Sequence, residues 1–148
     1  MSDYLSIEVE EYLPFAPARV WKALTDQEML TKWLMPGDFQ PTVGHQFTFK
    51  TQPIPAANFD GIIACRVLEL EPERKLKFTW VGGMLNTTIL WQLTPEGTGT
   101  RLKMVHDGFD PNNPMDQFAH KNMGSGWRST IIPSLERFLA AKDVAQEA

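Results

Sequence analysis

Leu76, Phe78 and Trp80 stand two residues apart, as do Ile89, Trp91 and Leu93, and again Leu102, Met104 and His106, with mostly polar residues between them. Successive side chains of a strand point to opposite faces, so each run reads as a strand with one buried face. The segments that precede or separate these runs, EPERK (71–75), VGGML (81–85) and PEGTGT (95–100), are short and rich in turn residues. Strands joined this way form an antiparallel meander. Two further strands extend it upstream, one through 61–71 and one around Phe47 and Phe49, while the two prolines of QPIPAANFD (52–60) argue for a loop there.

The chain begins with another alternation, in YLSIEVEEYL (4–13), where Leu5, Ile7 and Val9 oppose Ser6, Glu8 and Glu10. Pro17 then suits the first turn of a helix carrying Val20, Trp21 and Leu24, and Asp26 suits the cap of a second with Met29, Leu30, Trp33 and Leu34 on one face. After the meander, Met115–Met123 reads as a short separate helical turn. In GWRSTIIPSLERFLA (126–140), Trp127, Ile131, Leu135, Phe138 and Leu139 recur at helical spacing around an interior proline, Pro133. An interior proline loses one backbone bond and crowds the carbonyl four residues back, so a bend is expected.

A sheet with one apolar face must be covered. Two short helices are too few for six or seven strands, so the long C-terminal helix is expected to lie across the concave side. The predicted fold class is α+β: a strongly curved antiparallel sheet wrapped around that helix, with two short helices after the first strand. The 148 residues suit a single domain with a core over about 4–141 and a tail, 142–148, expected to fray.

Fourteen basic against eighteen acidic side chains give a net charge of −4, and the basic residues are not clustered. Nucleic acid is therefore not an expected partner. Apolar runs of only a few residues argue against a membrane span. An acidic N-terminus unlike a secretory signal, together with the single Cys65, points to a reducing, cytoplasmic setting without an intrachain disulfide.

Several segments sharpen the architecture. FAPARVWKALTDQEMLTKWLMPG (15–37) resembles the N-terminal signature of the family related to activators of the heat-shock-protein-90 ATPase. VLELEPERKLKFTW (67–80), GTRLKMVHDGF (99–109) and the terminal GW…L..FL resemble its later elements, so the likeness runs from about residue 7 to about residue 140. The order strand, two short helices, antiparallel strands, long helix resembles the helix-grip fold of the START-like, Bet v 1-like (SRPBCC) superfamily, within which this family falls. The resemblance implies a single-domain bacterial-type member, since no chaperone-binding domain is expected ahead of the first strand. Such relatives are mostly regarded as small-molecule binders, and the superfamily also includes polyketide cyclases, lipid carriers and hormone receptors.

The expected ligand site is a cavity between sheet and helix, lined by Trp33, Phe47, Phe49, Arg66, Trp80, Met84, Trp91, Met104, His106, Trp127, Ile131 and Leu135. Taken singly, each aromatic or thioether lining residue suits core packing better. His106, inward by its parity with Leu102 and Met104, is the one weak catalytic candidate, as acid or base; a structural histidine holding the DGF turn is the stronger reading. Arg66 shares parity with Ala64 and Leu68 and, if inward, meets an acidic ligand; the stronger reading has it snorkel at a sheet edge or pair with Glu69 or Glu71. Cys65 reads as a buried, inert thiol. His45 and His120 lack ligands at metal spacing, so neither a metal nor any other cofactor is expected. GSGW (124–127) lacks the glycine two residues before its serine that a nucleophile elbow needs, and VGG (81–83) reads as a turn. Binding of a small hydrophobic or amphipathic molecule ranks first. Cochaperone-like stimulation of the heat-shock-protein-90 ATPase, with a chaperone partner, and a cyclase- or hydrolase-like activity using His106 rank behind it.

Overall fold

A computed structural model describes residues 4–55, 59–83 and 85–147, with side chains through 141. Strand β1 (Leu5–Leu13) leads to helices α1 (Pro17–Thr25) and α2 (Gln27–Trp33). Pro17 occupies the first turn of α1, and the Asp26 carboxylate caps α2 by accepting the Glu28 N–H at 2.9 Å. Strands β2 (Gln46–Lys50), β3 (Ile62–Glu71), β4 (Lys75–Gly82), β5 (Leu85–Glu96) and β6 (Gly99–Phe109) follow.

The described strands form one antiparallel six-stranded sheet in the order β1-β6-β5-β4-β3-β2. Within the meander each strand pairs with its chain neighbour; β1 closes the far edge against β6. Register follows the alternation: Phe78 faces Ile89, Trp91 faces Met104 and Ile89 faces His106, and all five are buried. This one-sided burial is the helix-grip architecture.

The covering helix differs from the expectation of a separate turn before it. Helix α3 (Pro114–Gly126) runs directly into a π-turn (Trp127–Ile131) and then into α4 (Ile132–Glu147), whose helical backbone enters the stretch expected to fray. In the π-turn the Ile132 N–H reaches back five residues to the Trp127 carbonyl. Pro133 sits just beyond and has no N–H to give the Ser129 carbonyl, so the wider turn lies where the α-helical ladder is already broken. The extra residue per turn changes which side chains face the sheet. Trp127, Ile132, Leu135 and Leu139 are buried, whereas Ile131 and Phe138, both expected inward, are only half-buried.

A second irregularity lies in β6. Leu5 pairs with Phe109 and Ser6 with Asp107, leaving Gly108 as an unpaired bulge residue. Its φ of +110° is open to glycine, and a Cβ there would stand 3.2 Å from the Thr87 Cα. The bulge lets His106 and Phe109, three residues apart, both point into the core. Gly108→Ala is predicted to cost about 1–3 kcal/mol in urea denaturation, the range for a residue held in a disfavoured backbone region. A change below about 0.5 kcal/mol, the level of neutral surface substitutions, would show that the bulge tolerates a side chain.

Candidate functional site

Most of the predicted lining lies together on the concave side. Trp33, Phe47, Phe49, Trp80, Trp91, Met104, His106, Trp127 and Leu135 are all buried. Met84 lies outside the described residues. Arg66 is corrected: Ile63, Cys65 and Val67 face inward, and Arg66 is exposed on the convex face with Ala64 and Leu68. Ile131 is half-buried and packs against the core, and the π-turn brings Ile132 to the fully buried position beside it.

The aromatic side chains meet ring to ring. Trp127 stands with its centroid 5.7 Å from Trp91 and 6.1 Å from Trp80, and Trp33 lies 6.2 Å from Trp91. Phe49 continues the contact 6.0 Å from Trp80, with Phe47 a further 5.4 Å away. Edge-to-face pairs at such distances are attractive by about 0.5–1.5 kcal/mol beyond burial alone. The helices position these rings. The Trp33 indole N–H donates to the Ala23 carbonyl at 2.8 Å, and Ser134 Oγ donates to the Trp33 carbonyl at 2.8 Å, tying α4 to α2.

His106 is the polar centre and is fully buried. The Trp127 Nε1–H points at its Nδ1 at 3.1 Å, and Thr87 Oγ1 lies 2.8 Å from its Nε2. An indole nitrogen only donates, so Nδ1 must accept; the neutral ring then carries its proton on Nε2 and donates to Thr87. Thr87 Oγ1 in turn donates to the Trp80 carbonyl at 2.8 Å. The chain thus runs one way, from helix to β6 to β5 to β4, and leaves no ring nitrogen of His106 for another partner. Burial, with a smaller contribution from His120, pushes the imidazole down to about 3 from its ordinary 6.5. Parity in the sequence places His106 inward, whereas its partners, Thr87 and Trp127, are decided by cross-strand and helix-to-sheet register.

These facts make His106 a structural node. A general acid or base needs a nitrogen within reach of substrate and a pKa near the working pH, and here both nitrogens are engaged by the protein. Cys65 is likewise inert: buried, with its thiol pushed up to about 12 by burial and by nearby Asp38. Among the described residues no group of His, Cys, Asp and Glu side chains has a metal-binding arrangement. Nor is any helix there long and apolar enough to cross a membrane. A polar groove of about 280 Å3 crosses the convex face between Glu10, Arg74, Lys75, Gln92, Arg101 and Lys103, sharing no residue with the predicted lining.

A curved sheet gripping a helix, with an aromatic interior and one neutral polar node, defines a small START-like domain. Residues 14–140 match the family described as "Activator of Hsp90 ATPase homolog 1-like protein", and the chain belongs to that family. Protein MLL2253 of Mesorhizobium loti is 31% identical, with 93% of this chain and 98% of that one aligned at a TM-score of 0.81. BH1534 of Bacillus halodurans is 25% identical over 92% of this chain and 98% of its own, at a TM-score of 0.75. CalU16 of Micromonospora echinospora shares the fold at 22% identity and a TM-score of 0.75, over 97% and 83% of the two chains. No curated protein matches the sequence.

The depressed histidine carries a signed prediction. Below about pH 6.5 the unfolded chain takes up a proton at residue 106 that the folded protein refuses until about pH 3, so this group lowers stability as pH falls through that window and has no effect above it. The stability difference between the wild type and His106→Gln should therefore change by about 1.4 kcal/mol per pH unit in acid, to the wild type's disadvantage. Urea denaturation between about pH 7.5 and about pH 5 measures it; a difference flat with pH would mean that His106 titrates normally in the fold.

Proposed function

We propose that this domain binds a small hydrophobic or amphipathic molecule between the concave sheet and the long helix. The observation that carries the reading is the aromatic surface running from Phe47 and Phe49 through Trp80 to Trp127 and Trp91, which meets a helix face interrupted by a π-turn. Flat aromatic walls offer large apolar area at low conformational cost, and a few fixed polar groups orient a ligand. Family membership favours the same kind of partner. A cytoplasmic setting fits the single reduced cysteine.

The family's description also names an activator of a chaperone ATPase. That reading requires a macromolecular docking surface, and the site described above is internal, so it ranks second. An acid–base enzyme centred on His106 ranks last, because both ring nitrogens already hold protein partners.

The interior tryptophans supply the readout. Titration with the uncharged fluorophore N-phenyl-1-naphthylamine should quench tryptophan emission and raise the probe's own emission saturably, and native mass spectrometry of protein from its own source should show a retained small molecule. Linear, non-saturable probe emission together with an adduct-free mass would contradict the binding reading.

A further inference from the structure

The long helix is held unequally on the two sides of its π-turn. On the C-terminal side, Ile132, Leu135 and Leu139 are buried in the core, Ser134 bonds to the Trp33 carbonyl, and the Arg19 guanidinium donates to the Leu139 carbonyl at 2.7 Å. On the N-terminal side the fully buried residues of α3 are Asp116 and Gly124, one spent on a polar contact and one without a side chain, and its apolar contact with the core comes from the half-buried Ala119 and Met123. Asp116 accepts the Asp110 N–H at 2.7 Å, and His120 Nε2 donates to the Ser6 carbonyl of β1 at 2.8 Å while its ring lies 5.4 Å from Phe109. Phe118, 66% exposed, and Met115 face solvent. α3 is thus docked by side-chain hydrogen bonds and two half-buried apolar side chains, and α4 by three fully buried ones. Local opening is easiest where buried apolar contact is least.

The junction between the halves is mechanically weak for three reasons on the same short stretch. Its hydrogen bonds span five residues, Pro133 contributes no donor, and Gly126 precedes the π-turn with a helical φ of −62° and open space where a Cβ would stand. Glycine inside a helix weakens it relative to alanine. We infer that α3 is a lid hinged at the Trp127–Ile131 π-turn, swinging off β1 and β6 while α4 stays seated. The displaced segment covers Ile7 and Phe109, and Phe109 in turn covers His106 at a centroid distance of 4.7 Å. Opening therefore uncovers the interior from its polar node. A role in admitting ligand rests on the binding function proposed above; the hinge itself does not.

Amide hydrogen exchange on the unliganded protein separates the two. Residues 118–126 should exchange through a common opening faster than that of residues 134–141. Gly126→Ala, which meets nothing within 4 Å, should slow exchange in 118–126 by about two- to five-fold and leave 134–141 unchanged. His120→Ala should speed it by about two- to ten-fold in the same segment alone. A single exchange rate across both halves, or a Gly126→Ala effect absent from 118–126 or shared by 134–141, overturns the hinge whether or not any ligand binds.

Discussion

The hydrogen bond from the Trp127 indole to His106 Nδ1 joins the covering helix to the centre of the sheet. A buried indole N–H without an acceptor costs on the order of 1–3 kcal/mol, so the helix settles where that bond can form. The same bond decides the protonation of His106, which decides that Nε2 donates to Thr87, which leaves the Thr87 proton for the Trp80 carbonyl. Four elements of the fold are thereby linked by one directional chain of neutral groups. Because every member is satisfied, the network suits a buried aromatic interior that would not tolerate a charge.

Two local departures from regular geometry make that chain attainable. The bulge at Gly108 keeps both His106 and Phe109 inward on a single strand. The π-turn rotates the helix beyond Trp127 so that Ile132 is fully buried and Ile131 only half-buried, while Trp127 itself stays aimed at the histidine. Each departure costs local backbone regularity, and each stands directly beside the polar centre. The same π-turn separates a well-packed half of the helix from a lightly packed one. A function that requires access to the interior has a natural point of yield there.

Much of this architecture is legible in the sequence. Strict alternation in β4, β5 and β6 identified the concave residues, because a single apolar set per strand leaves one choice of face. In β3 the stretch IIACRVLEL carries apolar residues on both parities, so pattern alone did not separate Arg66's face from that of Cys65 and Val67. On the helix, the spacing of 3.6 residues per turn is valid only while the ladder is α-helical. Pro133 signalled a disturbance, yet a bend and a π-turn leave the same trace in sequence while differing by one residue in which side chain is buried. Thr87 shares the parity of Ile89 and Trp91, but its pairing with His106 depends on the β5–β6 register, where Ile89 rather than Thr87 lies directly opposite His106.

The directional network is tested most directly by the tautomer and charge of His106 in the folded protein. Long-range proton–nitrogen NMR correlations should show a protonated Nε2 and an unprotonated Nδ1, unchanged from about pH 8 down to about pH 4.5, with the Trp127 indole proton shifted as a hydrogen-bond donor. An imidazolium appearing near the ordinary histidine pKa, or a proton resident on Nδ1, would contradict it.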